Sequence, residues 1–312
     1  MPALVCVIGS SNTDMVIKAD KLPAPGETVI GGQFLMNPGG KGANQAVAAA
    51  RLSAPGENRP VTFVANVGND VFGRQALQQF EREGIRTDFV STDSDEPSGV
   101  ALIGVDSRGE NCIMVASGAN ARLGQPQVAS ALAAEPDTAV VLLQLETPLP
   151  TVEYAIRQSH ARGLRVVLNP APAQPIDPAV LPCLHTITPN ESEAELLTGV
   201  RVTDEATAGQ AARWLHQAGV PNVVITLGSK GAYLSTAMGA MLIPAPPVTA
   251  MDTTAAGDCF NGALAVALAE NRPLPDAVDF ACKAASISVT RMGAQASMPH
   301  RHEVDALLLL TV

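Results

Sequence analysis

Along most of the chain, short runs of consecutive apolar residues alternate with segments whose apolar residues recur every three to four positions. The runs at Leu4–Ile8, 61–67, 140–145, 166–168 and 223–227 are rich in Val, Ile and Leu and apolar at successive positions. They predict strands covered on both faces, as in a parallel sheet between helix layers. The intervening segments 42–52, 71–83, 151–162, 206–218 and 258–270 carry the helical period. Strand–helix alternation of this kind predicts an α/β sandwich with right-handed crossovers. Trp214 falls on the apolar side of its helix and is expected in the core.

Two stretches break the alternation. Residues 27–34 and 98–115 read as extended segments with turns and no helix between them, the clearest turn being Asp106-Ser107-Arg108-Gly109-Glu110. Strands without crossover helices form hairpins, so these predict a small antiparallel sheet beside the main one. No Pro/Gly/Ser-rich linker, repeat or low-complexity tract separates them from the rest. The small sheet is therefore expected as an insertion, most simply a lid, with an edge extension of the main sheet as the alternative reading.

Composition narrows the partners. The 312 residues contain 20 Lys plus Arg against 30 Asp plus Glu, a formal net charge of −10, and only five lysines without a basic run. Displacing counterions from nucleic-acid phosphates needs clustered Lys and Arg, so neither nucleic acid nor an anionic membrane is an expected partner. Hydrophobic residues are 46% and aromatics 3%, which excludes a disordered chain and leaves few rings for stacking bases. Cys6, Cys112, Cys183, Cys259 and Cys282 are scattered without a C-x-x-C pair, so buried free thiols are expected rather than a zinc site or disulfides. No apolar run reaches the ~18 residues of a membrane span, and 1–8 lacks a charged leader, so a cytoplasmic location is the expectation.

Candidate chemistry gathers at loop–helix junctions. Asp252-Thr253-Thr254-Ala255-Ala256-Gly257-Asp258 runs straight into a helical segment. Small residues before a helix let backbone N–H groups approach an anion, and Asp258 would face whatever that nest holds. Simple N-capping by Asp258 is an equally open reading. Gly39-Gly40-Lys41-Gly42-Ala43-Asn44-Gln45 opens another helix but is not a Walker A loop, and the first strand leads into Gly9-Ser10-Ser11-Asn12-Thr13-Asp14, not G-x-G-x-x-G. With both nucleotide fingerprints missing, a Gly-rich turn bearing Lys and Asn suits a polyhydroxylated ligand. Asn12 and Asp14 suit the same task, because open α/β sheets bind at strand carboxyl ends. In Pro189-Asn190-Glu191-Ser192-Glu193, Asn190 and Glu193 stand one turn apart, as a capping box or as a pair holding hydrated Mg2+ and phosphate. Thr226, Leu227, Gly228, Ser229, Lys230 and Gly231 form a turn that could cradle a nucleotide or close a hairpin. The histidines show no metal spacing.

Taken in order, these motifs resemble the ribokinase branch of the ribokinase-like, or PfkB, carbohydrate kinases. The likeness runs over the whole chain and adds Pro25-Gly26-Glu27-Thr28, Gln144-Leu145-Glu146, Asn169-Pro170-Ala171-Pro172 and Arg291-Met292-Gly293-Ala294-Gln295. It implies a three-layer α/β/α sandwich over 1–312, mostly parallel, with lid strands at about 15–36 and 98–116. It also implies ATP-dependent phosphorylation of D-ribose at its 5-hydroxyl. On that resemblance Asp258 is the base, and the amides of Ala255, Ala256 and Gly257 are the anion hole. Asn12, Thr13, Asp14, Gly40, Lys41, Gly42, Ala43, Asn44 and Glu146, with Asp258 itself, bind sugar. Asn190, the turn from Thr226 to Gly231, Gly257, Asp258 and Cys282 meet ATP, and Glu193 organises Mg2+. Asp252, Thr254, Ser288, Arg291, Gly293 and Ser297 match a monovalent-cation site, usually for K+. Thr254 stands where Ile is frequent, and Cys282 where His or Asn often flanks adenine. A homodimer through the lid sheet is the further implication. The other readings are a kinase for deoxyribose or another pentose or nucleoside, a catalytically silent sugar or nucleotide sensor, and a dehydrogenase. Asn12 favours ribose, since an apolar residue there would suit a sugar lacking a hydroxyl.

Overall fold

The computed structural model describes residues 4–54 and 60–309. Met1, Pro2 and Ala3, with which the N-terminal reading began, and the far end of the 1–312 span lie outside the described residues. In chain order the elements are β1 (Leu4–Ile8), β2 (Asn12–Lys18), β3 (Gln33–Gly39), α1 (Lys41–Leu52), β4 (Val61–Gly68), α2 (Val71–Arg82) and β5 (Arg86–Asp93). There follow β6 (Gly99–Val105), β7 (Asn111–Ala116), α3 (Gln125–Ala134), β8 (Thr138–Leu143), α4 (Leu149–Ala161), β9 (Arg165–Leu168), β10 (Thr186–Ile187) and α5 (Glu191–Thr198). The chain continues with α6 (Glu205–Gln217), β11 (Asn222–Thr226), β12 (Ala232–Thr236), β13 (Gly239–Ile243), α7 (Ala256–Ala269), α8 (Leu274–Ser288) and α9 (Arg301–Leu309).

The large sheet has the order β13-β12-β11-β10-β9-β8-β1-β4-β5. Its seven strands from β11 to β5 run parallel, and β12 and β13 are appended antiparallel. Side chains alternate between two cores, as the two-residue period of a strand requires. Val5, Val7, Val140 and Leu142 join the layer of α1, α7 and α8, whereas Cys6, Ile8, Val141 and Leu143 join that of α3, α4 and α6. The expected parallel α/β sandwich is present. Because β1 feeds β4 on one side and has β8 on the other, the order reverses between β1 and β8, and a crevice opens beyond their carboxyl ends.

The small sheet has the order β3-β2-β6-β7. It differs from the expected antiparallel sheet: β2 pairs with β3 and β6 with β7 antiparallel, but β2 and β6 run parallel and join the two connections. The first pair of strands also lies at 12–18 and 33–39, so most of the extended segment expected at 27–34 is not strand. Gly31 and Gly32 hold φ of 108° and 99° there, a backbone region that does not continue a strand. Asn12 and Asp14 therefore sit on the small sheet, just beyond the end of β1.

Two further expectations change. Trp214 is 40% exposed, because Ala208, Ala211, Ala212 and Leu215 of α6 already fill the core beneath that helix. The five thiols are not all buried: Cys6, Cys259 and Cys282 are, whereas Cys112 is exposed and Cys183 half-buried. Burial pushes each of those three thiols up to about 12, which keeps them protonated and unreactive.

Candidate active site

The site is assembled where α1 and α7 converge on the crevice beyond β1 and β8. The entry to α1 depends on two glycines. Gly40 caps the helix at φ 87°, and a Cβ there would lie 2.7 Å from the Asn12 nitrogen. A Cβ on Gly42 would lie 2.7 Å from the Gly9 Cα. The first turn of α1 can therefore press against the end of β1, and any side chain at either position would lever it away.

That approach fixes Asp258. The residue is in the first turn of α7 and only 6% exposed. It is not the helix cap: Ala255 holds that position with φ 58°, and the Asp258 carboxylate points across to α1. Asn44 Nδ2 donates to Oδ2 at 2.9 Å and Gln45 Nε2 to Oδ1 at 3.0 Å. Burial raises its pKa, opposed by Lys41, Asn44 and Gln45 and reinforced by Glu146. Asn44, expected to contact sugar, thus also supports the Asp258 carboxylate.

The neighbouring polar groups face the same space. Glu146 Oε2 accepts from Ser10 Oγ at 2.6 Å and from the Lys41 backbone amide at 2.9 Å, tying the end of β8 to β1 and α1. A cavity of about 440 Å³ opens beside Glu146 and Asn12, with Asn120 in its wall. Burial pushes Asp14 up to about 6, helped by the charges of Glu146 and Asp258 and opposed by Lys41. Burial works against the Lys41 ammonium, but Asp258, Glu146, Glu193 and Asp14 together leave its pKa raised. Four carboxylates therefore surround one lysine, a pocket that favours cations and protons. Thr13, by contrast, turns to the opposite face of β2 from Asp14.

Sequence reasoning missed Asn120. Its Oδ1 accepts from the Ser11 amide at 2.8 Å, which orients its Nδ2 to donate to Asn12 Oδ1 at 2.8 Å. With its carbonyl oxygen so engaged, Asn12 presents its NH2 as the free group. Nothing local in the sequence marks this, since the partners are 108 positions apart.

The nucleotide-type motifs lie further along the crevice. Asn190 and Glu193 do form a capping box, Glu193 N donating to Asn190 Oδ1 at 2.8 Å and Asn190 N to Glu193 Oε2 at 2.9 Å. Glu193 is nonetheless buried and its pKa is raised by that burial, against the Asn190 amide and Lys41. Capping and facing the pocket are both true of it. The Thr226 amide donates to Pro189 O at 3.0 Å, which sets the following turn beside Asn190. That turn does close the β11–β12 hairpin: Leu227 N donates to Gly231 O, Lys230 Nζ reaches Thr203 O, and Gly228, Ser229 and Lys230 are exposed. Gly231 packs on the Ile243 carbonyl, the same group that Cys282 Sγ approaches at 4.0 Å.

At the start of α7 a Cβ on Gly257 would meet nothing within 4 Å, so open space lies over this turn. The first amides of a helix lack intrahelical acceptors. Of the three expected to face an anion, Ala256 N is engaged by Thr253 O at 3.3 Å, a bond that must be exchanged if all three are to serve. Asp252 clips this loop to the segment after α8: Oδ1 accepts from Thr254 N and Oδ2 from Gly293 N, both at 2.9 Å. Burial raises the Asp252 pKa, but these amides and the Thr254 hydroxyl hold it below the usual carboxylate value. The side chains of Ser288, Arg291 and Ser297 turn away, to Ala285 O, Glu303 and Ala294 O. Arg291 is left with only its backbone carbonyl to face a cation, whereas Ser288 and Ser297, having donated their hydroxyl protons, keep oxygen lone pairs as well as their carbonyls.

The raised Asp14 sets a pH dependence. A carboxyl whose folded pKa exceeds its unfolded one stabilises the fold only below the unfolded value, and that contribution is lost as pH rises to the folded value. Asp14→Asn should therefore match the parent below about pH 4 and exceed it above about pH 6, by at most about 3 kcal/mol. Denaturant unfolding across pH 4–8 measures this, and a constant offset between the two proteins would contradict the assignment.

A family model described as pfkB family carbohydrate kinase matches residues 2–301. A ribokinase of Haemophilus influenzae is 45% identical over 303 residues, covering 97% of each chain. A deoxyribokinase of Salmonella typhi is 36% identical, covering 98% of this chain and 99% of its own. The solved structure of Arabidopsis thaliana ribokinase complexed with ribose and ATP superposes with a TM-score of 0.91 at 32% identity, covering 99% of each. On the strength of a match that spans nearly its whole length, the chain belongs to the pfkB family of carbohydrate kinases.

Proposed function

We propose that this chain transfers the terminal phosphoryl group of ATP to the 5-hydroxyl of D-ribose. The observation that carries the reading is the Asp258 carboxylate, buried yet supplied with two amide donors at the first turn of α7. Relatives named ribokinase, and the neighbour complexed with ribose and ATP, support the choice of substrates. Phosphoryl transfer asks a protein chiefly for alignment and charge stabilisation. Asp258 takes the proton of the attacking hydroxyl, and the amides of Ala255, Ala256 and Gly257 face the charge that develops on the phosphoryl oxygens. Asp14 and Glu146 accept from sugar hydroxyls, and Lys41 donates.

Ribose is favoured over deoxyribose by the orientation of Asn12. Because Asn120 occupies its carbonyl oxygen, Asn12 offers an N–H donor. A sugar lacking the partner hydroxyl would leave that buried donor unpaired, at a cost of about 1–3 kcal/mol. Asn190 and the turn from Thr226 to Gly231 are assigned to ATP, with Cys282 behind the turn through Ile243.

Among the described residues no group of three or more His, Cys, Asp or Glu could by itself hold a metal. Glu193 fits a Mg2+ ion held mostly by water and phosphate, where it would neutralise phosphate charge in an already anionic pocket. For K+ the donor set fits in kind: oxygen only, from Asp252, the carbonyls of Thr254, Arg291 and Gly293, and the carbonyl or hydroxyl oxygens of Ser288 and Ser297. A cation there would stiffen the loop presenting the amides, without touching substrate. No helix among the described residues is long and apolar enough to cross a membrane. A cytoplasmic location completes the proposal.

The small sheet closes over the sugar with its Asp14 face and excludes water from the transfer. Its other face carries a row of apolar residues across all four strands, Met36, Met15, Leu102 and Met114, with Ile17 and Phe34 beside it. Ile17, Phe34, Met36, Leu102 and Met114 are each about half exposed or more. This is the face proposed to pair with the lid of a second copy in a homodimer.

Two outcomes are expected. Asp258→Ala should lower turnover by a factor on the order of 10³ or more, read as ADP release, while calorimetric ribose affinity changes little. Near-normal turnover would remove the base assignment. Light scattering at micromolar concentration should give a dimer for the parent and a monomer for Met114→Lys, and a monomeric parent would remove the dimer claim.

A further inference from the structure

Asp258 is tied into a closed circuit of buried amides. Gln45 Nε2 donates both to Asp258 Oδ1 and to Asn169 Oδ1, each at 3.0 Å. Gln45 Oε1 accepts from Gln144 Nε2 at 2.6 Å. Asn169 Nδ2 donates to Thr188 O at 3.2 Å, and Thr188 Oγ1 to Asn261 Oδ1 at 2.6 Å. Asn261 Nδ2 then donates to Gly257 O at 2.8 Å, returning the circuit to the residue before Asp258. It draws on α1, on the ends of β8, β9 and β10, and on α7. All five side chains are almost wholly buried, Gln45 completely.

Gln45 is saturated: both N–H groups and the carbonyl oxygen have partners. Its orientation is therefore determined, since a flipped amide would turn oxygen towards the carboxylate and NH2 towards the donor of Gln144. A donor aimed at Oδ1 favours the ionised carboxylate and fixes its plane. Asn44 does the same at Oδ2 but faces the pocket, where sugar can compete for it. Gln45 has no such exposure.

We infer that Gln45, locked by Gln144 and Asn169, is a positioning residue that holds the Asp258 carboxylate ionised and aimed, and that the arm through Thr188 and Asn261 keeps the first turn of α7 in register with it. The inference rests on the proposed role of Asp258 as base. The charged groups facing Asp258 are Lys41 from α1, Glu146 beyond β8, Asp14 from β2 and Glu193 from α5. None of them is a member of the circuit, so substitution at Gln45 leaves them in place.

The test compares the parent with Gln45→Met, which keeps the length and removes the donors, and Gln45→Glu, which substitutes a second carboxylate. In protein labelled with ¹³C at the aspartate carboxyls, the Asp258 resonance is identified by its loss in Asp258→Asn. Its titration midpoint should rise by about one pH unit in Gln45→Met and further in Gln45→Glu, where like charge is added. At saturating ribose and ATP, kcat should fall on the order of ten- to a hundredfold, as for losing one hydrogen bond to a charge, with ribose affinity within about twofold. The acid limb of kcat should move with the resonance. A midpoint unmoved in both variants overturns the inference, as does a loss of ribose affinity matching the loss of kcat. If Gln45→Met does not fold, the comparison of Gln45→Glu with the parent decides. Absence of ribose-dependent ADP formation in the parent would defeat the kinase reading alone, because the carboxyl titration is read without turnover.

Discussion

The proposed role of Asp258 as base asks a carboxylate to stay ionised where there is almost no water. At Asp258 burial alone would drive the group to its neutral form, and a neutral acid cannot take a proton from an alcohol. What opposes burial is a single charge, Lys41, and two amide donors, Asn44 and Gln45, all three from the first turns of α1. The whole arrangement therefore depends on how closely the start of α1 approaches α7 and the end of β1. Gly40 and Gly42 permit that approach. The β1–β8 topology supplies the crevice, and Glu146 anchors the Lys41 backbone from the far side.

The second constraint is charge. Four carboxylates and one lysine make the pocket anionic before any nucleotide arrives, in keeping with the −10 charge of the chain. A polyphosphate can enter only if its charge is met by something other than Lys and Arg side chains. On the proposed reading, helix-terminal amides, a turn of backbone beside Asn190, and a cation carried in with the phosphates would meet that need. A low count of basic residues bears on nucleic acid as a partner, yet it has no bearing on an anion held by backbone.

The central strands were legible because both their faces are buried and the apolar runs stand out; β1, β4, β8, β9 and β11 lie within two residues of their expected limits. The small sheet was legible as an insertion, with β6 and β7 within one residue of the expected 98–115, but β2 and β3 were not placed, because both faces of the sheet carry apolar residues and Gly31 and Gly32 displaced β3 by several residues. Its parallel β2–β6 pairing joins segments about 87 positions apart, which no local pattern records. Trp214 was misplaced because helical period gives a face but not how deep that face lies. At Asn190 and Glu193 the two readings weighed from the sequence turned out compatible, since a capping box can also present a buried carboxylate to a pocket. The amide circuit was present in the sequence only as separate fragments, Gln45, Gln144 and Asn169, with no signal that they meet.

The central claim is a regiospecific one: the sugar hydroxyl presented to Asp258 is the one phosphorylated. Incubating the protein with ATP, Mg2+ and uniformly ¹³C-labelled D-ribose, then reading carbon–phosphorus couplings by NMR, tests it most directly. The account predicts one product, with coupling from phosphorus to C5 and C4 and ADP formed in equal amount. Phosphate on C1, or ADP formation that does not depend on the sugar, would contradict it.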